Sequence, residues 1–199
     1  MTKRAGLARA ALVLWGALLC APAEADAIFV VFENPAAGAL SVKGAPFDDA
    51  MAKLGALEVD SLDFGIENSL EIDPRDGATG PGRAAFLPLR MALPLGPGVP
   101  ALLQTAGAGG HYRDVTVHFR TSGRQAVDHA TLALKLVAVT SVEVSAVGGA
   151  PQAAVTLTYG SMKLDVYPVD AKGEVAKTPE TGRWNAMTGT ADFATVPNR

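Results

Sequence analysis

The chain has 199 residues, of which 49% are hydrophobic and 19% are charged, and its formal net charge is −3. This length suits one domain with a single core. A mildly acidic chain lacks the basic patch that nucleic-acid binding requires, so no nucleic-acid partner is expected. The only cysteine is Cys20, which excludes an intramolecular disulfide and argues against a thiolate metal site.

The first 25 residues have the three-part pattern of an export signal. A basic start is followed by an apolar run over residues 10–21 and by small residues at Ala23 and Ala25. The pattern predicts a signal peptide over residues 1–25, with cleavage before Asp26. The basic residues are Lys3, Arg4 and Arg9.

The apolar run is shorter than the roughly 20 residues that span a bilayer, so stable membrane insertion of the mature chain is not expected. Leu19 precedes Cys20 where lipoprotein processing needs a small residue, which argues against lipidation. The predicted mature chain has 14 Lys and Arg and 19 Asp and Glu residues, a formal charge of −5. The expected location is periplasmic or secreted.

The first part of the mature chain shows strand patterns. Residues 28–32 form a continuous apolar run that predicts a strand buried on both faces. Leu57 and Val59, then residues 62–66, predict further strands with a possible bulge at Gly65. The turn-rich stretch that follows predicts a long exposed loop. It includes Asp73, Pro74, Arg75, Asp76 and Gly77.

Residues 85–95 are apolar but contain Pro88 and Pro94, which cannot donate to a strand ladder. They therefore predict an edge strand or an irregular one. One short helix is predicted over residues 100–106, with a proline in its first turn and Gly107 as its C-terminal cap. Its buried side would carry Leu102 and Leu103.

Four strands are predicted after the helix. They cover residues 115–121, 131–145, 153–159 and 162–166. Many strands with a single helix predict an all-β, mainly antiparallel fold, either a small β-barrel or two packed sheets. The residues from about 169 onward are expected to form a C-terminal extension of the same domain, which covers residues 26–199.

Several blocks of the sequence resemble the haemolysin-coregulated protein (Hcp) family, which forms the inner tube of bacterial type VI secretion systems. The order and spacing of the blocks agree with the family over nearly the whole mature chain. They are LEVDSLDFG at 57–65, GRAAF at 82–86, VPALLQ at 99–104, GHY at 110–112, VTVHFRT at 115–121, LKLVAVTS at 134–141, VTLTYGSM at 155–162 and GRWN at 182–185.

The resemblance implies a structural protein rather than an enzyme. It implies a compact β-barrel with one short helix, protomers that form hexameric rings, and rings that can stack into a hollow tube. Secretion-machine components or small effector proteins carried as cargo would be its partners. Typical tube proteins are assembled in the cytoplasm, so the export signal predicts an exported member of the family.

The ionisable residues do not indicate a reaction centre, cofactor site or metal site. His111, His118 and His129 are too far apart in sequence for a compact metal-ligand motif. Asp128 and His129 could form a hydrolase triad with Ser122, but no nucleophile motif surrounds that serine. Neither an enzyme nor a cofactor is expected.

Two function hypotheses remain. In the first, six protomers close a ring through the edges around residues 85–95 and the terminal strands, and the loop over residues 68–82 reaches a neighbouring ring. In the second, a monomeric exported β-sandwich of the cell envelope binds a protein or glycan through its loops and has no role in a secretion tube.

Overall fold

The computed structural model describes residues 26–69, 84–121, 126–147, 149–170 and 174–194. Nine strands and two helices occur among them. In chain order they are β1 (Ala27–Ala36), α1 (Asp49–Leu54), β2 (Leu57–Val59), β3 (Ser61–Asn68), β4 (Ala84–Pro94), α2 (Val99–Ala108), β5 (His111–Arg120), β6 (Asp128–Val147), β7 (Ala150–Thr158), β8 (Ser161–Val166) and β9 (Glu180–Asn185).

The strands form two antiparallel sheets that share β6. The N-terminal half of β6 pairs with β5 and β8, while its C-terminal half pairs with β7. The first sheet therefore has the order β2-β1-β5-β6-β8-β9, and the second has the order β6-β7-β4-β3. Because β2 pairs with β1, and β3 with β4, the short link at Asp60 closes the barrel.

β6 changes sheets at an irregularity. Leu136 has a φ of 53°, and the register with β7 shifts between Val139 and Ser141. A bulged strand bends and twists more strongly than a regular one. This bend lets one strand of 20 residues serve both sheets.

The inward faces of both sheets form one core. It includes Val30 and Leu132 from the first sheet, Leu89 and Leu157 from the second, and Leu102 from α2. Each of these five side chains is fully buried. The expectation that helix α2 buries Leu103 as well is wrong, because Leu103 lies on the solvent face with 52% of its surface exposed.

β1 is buried on both faces, as its apolar run predicts. Val30 and Phe32 face the main core, while Phe29 and Val31 pack with Met51 and Ala56 in a second cluster. Helix α1 supplies Met51 and so covers the outer face of β1.

Of the two alternatives predicted for residues 85–95, the irregular strand is confirmed and the edge strand is wrong. β4 is not an edge strand, because it pairs with β3 on one side and with β7 on the other. Pro88 is tolerated because pairing with β7 begins only at Leu89, and the register with β3 shifts nearby. Pro94 is tolerated as the last residue of the strand.

The irregularity predicted near Gly65 is present, since the register shifts between Asp63 and Gly65, but its extra residue lies on β4: Asp63 pairs with Arg90 and Gly65 with Leu87. The Tyr159 hydroxyl donates to the Leu87 carbonyl oxygen at 3.2 Å beside this shift. Burial raises the pKa of Tyr159 to about 12. The hydroxyl therefore stays protonated and remains a donor.

Two local elements differ from the sequence-based expectation. Helix α1 was not expected, so the fold has two short helices rather than one. Asp48 caps α1, accepting from the backbone N–H groups of Ala50 and Met51. Helix α2 ends two residues later than predicted, and its left-handed cap is Gly109 rather than Gly107.

Candidate functional site

The second sheet has an unpaired edge on each side within the described part of the chain. β6 pairs with β5 only as far as Ala138 and with β8 only as far as Lys135, so from Val139 onward its sole partner is β7. β3 pairs with β4 alone. Unpaired backbone N–H and C=O groups along such edges are a template for another strand.

The β6 edge has little protection against pairing. Val142 packs against the core, and Val144 exposes 52% of its surface. Glu143 is the one charged residue between Val139 and Ala146. Native edges that must not pair usually carry lysine, proline or inward-pointing charges, so the composition of this edge favours pairing.

The outward face of the second sheet is built from small and polar side chains. Register places Asp63 beside Arg90 and Ala92 beside Ala154. This face includes Ser61, Asp63, Arg90, Ala92, Ser141, Glu143, Ala154 and Thr156, with Pro94, Gln152 and Ser145 at one end. Charges of both signs are present, so this face has no strong preference for one sign of partner.

A groove lies at one end of this sheet. Its apolar walls come from the loop before α1, from β2, and from the turn after β4, and Glu58 and Asp60 give it an acidic rim. Phe47 stands in its wall with 100% of its surface exposed. The apolar lining residues are Ala45, Pro46, Phe47, Leu57, Leu93, Pro94 and Pro97.

Tyr112 fixes the loop that leads to this groove. Its buried hydroxyl donates to the Leu40 carbonyl oxygen at 2.8 Å and lies 3.1 Å from Oγ1 of Thr105. The Leu40 N–H in turn donates to Oγ1 of Thr105 at 3.0 Å. Burial raises the pKa of Tyr112, although the Thr105 hydrogen bond opposes this, so the hydroxyl remains a donor.

A cluster of charged side chains lies on the outer face of the first sheet. Arg120 donates to Asp128 at 2.7 Å and to Asp48 at 3.2 Å, and His118 Nδ1 lies 2.8 Å from Asp128. Burial acts to raise the pKa of Asp128, but its hydrogen bonds and charge interactions with His118 and Arg120 outweigh this and lower the pKa. The Arg120 guanidinium offsets part of the negative charge of the two carboxylates, which suits a structural role.

The C-terminal turn is organised by Asn185. Its Nδ2 donates to Asp192 and to the Ala194 carbonyl oxygen, while its Oδ1 accepts from the backbone of Met187 and Thr188. All the hydrogen-bonding capacity of the buried amide is used in this way. The predicted C-terminal extension thus contains strand β9 followed by an ordered turn.

Among the described residues, Asp128 and His129 do not make the contact that a hydrolase triad would require. Asp128 contacts His118 rather than His129, whose Nε2 lies 3.8 Å from Asp26. Ser122 lies outside the described residues. Within the described ranges, no three His, Cys, Asp or Glu side chains come together as a candidate metal site.

The residues proposed from the sequence for processing and stacking are mostly beyond what the structure describes. Ala23 and Ala25 lie outside it, while Asp26 is the first described residue and is exposed. Asp73, Pro74, Arg75, Asp76 and Gly77 also lie outside it. Across the described ranges, no helix has the length and apolar character needed to cross a bilayer.

The groove and the free edges were missed by reasoning from the sequence. A lone phenylalanine in the turn-rich stretch before α1 was an available signal, because turns rarely need an aromatic residue. The unpaired edges could not be predicted from the sequence, because the residues of one strand do not show which strands lie beside it in the sheet.

These features describe an antiparallel barrel whose second sheet has an unpaired edge on each side within the described residues. A model of the family described as type VI secretion system effector, Hcp, matches residues 37–166, well over half of the chain. The chain therefore belongs to the Hcp family, and the resemblance seen in its sequence is confirmed. This family is structural and non-enzymatic.

Solved structures show the same fold. A type six secretion system protein shares 20% identity and superposes with a TM-score of 0.73, covering 83% of this chain and 99% of that one. Hcp1 from Salmonella typhimurium shares 15% identity with a TM-score of 0.63, covering 83% and 97%. A type VI secretion system effector from Yersinia pestis shares 14% identity with a TM-score of 0.59, covering 79% and 98%. No curated protein sequence matches this chain.

Proposed function

We propose that this protein is an exported Hcp-family protein that assembles into hexameric rings able to hold or deliver cargo. Proteins of the family form hexameric rings. The observation that carries the proposal for this chain is the second sheet, which has one unpaired edge at β3 and another at β6. Two different edges make a heterologous contact, and repetition of such a contact by rotation closes a ring.

The strand directions suit this contact. β3 starts at Ser61, near the end of the sheet that holds Pro94, and runs away from it, whereas the C-terminal half of β6 runs toward that end. If the ring axis runs roughly along the strands, the rotation that relates one protomer to the next leaves the strand directions unchanged. The β3 edge of one protomer would therefore meet the β6 edge of the next in antiparallel orientation.

The hypothesis that the edge around residues 85–95 closes the ring does not hold, because β4 already has a partner on each side. β3 and β6 replace it. The first sheet packs on the inward face of the second sheet. In the ring, the second sheet would therefore face the axis and the first sheet would lie on the outside, where there is more space. The outward face with Arg90, Ala154 and Thr156 would then line the central channel.

The proposed pairing of the β3 edge with the β6 edge can be tested by introducing one charged residue. Val144→Lys places a lysine on the exposed β6 edge, where it should block pairing while the protomer stays folded. Val166→Lys is the control, because Val166 is 42% exposed but lies on β8, which has a neighbour on each side. Light scattering after size-exclusion chromatography, with negative-stain imaging, should show rings for the wild type and the control and monomers for Val144→Lys.

A wild-type monomer at all concentrations would overturn the ring and favour the envelope binding module. Rings that persist in Val144→Lys would overturn the proposed edge but not ring formation itself.

Stacking of rings would use the segment that contains Asp73, Pro74, Arg75, Asp76 and Gly77. It connects β3 to β4, so it leaves the second sheet at the end opposite Pro94. Deleting residues 73–80 should reduce the stacking of rings. The number of protomers in each ring should stay the same. Undiminished stacking in cryo-electron micrographs would count against this role.

Export would proceed through removal of residues 1–25. Asp26 is exposed and is followed immediately by β1, so cleavage after Ala25 would leave the folded barrel complete. Mass spectrometry of the protein recovered from the periplasm and medium should give Asp26 as the first residue. Ala23→Asp and Ala25→Asp should retain the precursor in the cell, and normal processing of both would contradict the assignment.

A further inference from the structure

We infer that the groove around Phe47 receives the β6–β7 hairpin of a neighbouring copy of this chain, a contact that rests on the proposed ring. The groove-lining residues are given above, and the part of the hairpin used for this contact is Ala146 at the end of β6 and residues 149–151 at the start of β7. The occupant is thus a second protomer, and each protomer would offer the groove on one side and the hairpin on the other.

Close backbone contacts hold the walls of the groove. The Gly44 N–H donates to the Gly55 carbonyl oxygen at 2.9 Å, and a Cβ at Gly44 would lie only 2.0 Å from the Ala56 oxygen. Gly98 has a φ of +94°, and a Cβ there would lie 2.7 Å from Leu57. Two of the three walls therefore depend on glycine, which allows the loops to approach closely.

Phe47 needs a cover that its own chain does not supply within the described residues. Its whole surface is exposed, unlike every other large apolar side chain recorded as exposed. Burying a phenylalanine side chain removes a large apolar surface from water, so leaving Phe47 in solvent forgoes a substantial gain in free energy. Aromatic side chains of this kind commonly anchor protein interfaces.

The hairpin has a composition that matches the groove. Ala146, Gly149, Ala150 and Pro151 are exposed, and no residue between 146 and 151 carries a charge. The acidic rim at Glu58 and Asp60 therefore meets no like charge on the hairpin. A groove-to-groove contact between two copies would instead bring both acidic rims together, which disfavours a symmetric pairing.

The position of the two surfaces makes the contact intermolecular. Register places Ser145 beside Gln152 and Gln152 beside Pro94, so the hairpin and the groove lie at the same end of the second sheet. The Leu95 N–H donates to the Pro151 carbonyl oxygen at 3.1 Å, which holds the hairpin base on the β7 side of β4. The groove lies on the opposite side of β4, beside the free edge of β3.

The β3 edge of one protomer would pair with the β6 edge of the next. The hairpin of the second protomer would then lie beside the groove of the first, because both are at the Pro94 end of the sheet. The edges supply hydrogen bonds along the strands, and the groove supplies an apolar anchor at their end. The contact would fix how far one strand slides along the other, because a slip would withdraw the hairpin from the groove.

Cysteine cross-linking tests the contact directly. In the Cys20→Ser background the chain has no other cysteine, so engineered pairs give unambiguous products. Phe47→Cys combined with Ala150→Cys should, on mild oxidation of assembled rings, give a ladder of covalent oligomers up to six on a non-reducing gel. The matched control, Phe47→Cys with Val169→Cys, uses a residue that is 54% exposed and far from the hairpin in sequence, and it should give no ladder.

A second variant measures the contribution of the contact. Phe47→Ala should raise the protein concentration at which rings dissociate by about tenfold or more, as for an anchoring aromatic residue. Its protomer melting temperature should be unchanged. Leu103→Ala, which removes an exposed side chain from α2, should leave assembly unchanged.

The outcomes separate this contact from the ring itself. Rings of normal mass that neither cross-link through positions 47 and 150 nor respond to Phe47→Ala would overturn the groove contact and leave the proposed function standing. A monomeric wild-type protein would overturn both.

Discussion

The Nη1 atom of Arg120 lies 2.7 Å from Oδ1 of Asp128, and this ion pair joins the end of β5 to the start of β6. The same guanidinium donates through Nε to Asp48, the N-cap of α1, and through Nη2 to the Ala126 carbonyl oxygen. The Arg120 side chain therefore links β5 to helix α1, to β6 and to the segment that precedes β6. The planar guanidinium of arginine holds its donors in a fixed arrangement, which lets three separate nitrogen atoms serve these acceptors.

Arg120→Ala should lower the free energy of unfolding by about 2 kcal/mol, because charged hydrogen bonds are lost while two largely buried carboxylates remain. Chemical denaturation followed by circular dichroism measures this change. Arg113→Ala removes an exposed arginine from the same strand and should change stability by less than about 0.5 kcal/mol. Equal losses in the two variants would contradict the fastening role.

Stability should fall in acid partly because of Asp128. Burial opposes ionisation, yet contacts with His118 and Arg120 hold the pKa of Asp128 below its usual value. A carboxylate with a lowered folded-state pKa stabilises the protein above its unfolded pKa of about 4, and this stabilisation is lost as pH falls through the folded-state pKa.

Asp128→Asn should therefore be less stable than the wild type at pH 7, and the difference should shrink as pH falls below about 4. Urea denaturation of both proteins from pH 7 to pH 3 would measure this difference in the free energy of unfolding. Asp63→Asn, an exposed carboxylate on β3, serves as the control and should give parallel curves. A constant difference for Asp128→Asn would show that the loss at pH 7 does not come from ionisation.

Tyr112→Phe should destabilise the protein by about 1–2 kcal/mol, because the Leu40 carbonyl oxygen loses its donor without gaining room for water. The local consequence is faster hydrogen exchange in the loop after β1, measured by mass spectrometry. Tyr167→Phe removes the hydroxyl of a half-buried tyrosine in another part of the chain and should leave exchange in this loop unchanged. Protection that is unaltered in Tyr112→Phe would rule out the anchoring role.

Asn185→Ala should release the C-terminal turn, because four hydrogen bonds depend on its amide. We expect a loss of about 2–3 kcal/mol, at the upper end for a single polar side chain. Limited proteolysis should cut within residues 186–194 much faster than in the wild type. Asn68→Ala, at the exposed end of β3, is the control, and equal cleavage rates would refute the prediction.

The strands could be predicted from the sequence because their apolar residues alternate or run continuously. β1 illustrates this best, since its unbroken apolar run correctly predicted burial on both faces. For β4 the prolines correctly predicted an irregular strand, but the alternative of an edge strand was wrong, because Pro88 indicates a missing hydrogen-bond donor at one position only. Whether neighbouring strands flank the rest of β4 depends on chain order, which local composition does not contain.

Helix α1 was missed because six residues are too few to show helical periodicity. Its N-cap, Asp48, was visible in the sequence, but a capping residue alone does not identify a helix. The exposure of Leu103 and the later cap at Gly109 follow from how α2 sits on the barrel end. The groove around Phe47 required three segments that are distant in sequence to meet, and no local pattern contains that information.

The shared strand β6 also has a consequence for folding. Because it contributes to both sheets, neither sheet can complete its hydrogen bonding while β6 is unformed. Cutting the chain near Leu136 would divide every layer of the core between two fragments. We expect neither fragment to fold alone, and we expect the barrel to unfold in a single cooperative step rather than sheet by sheet.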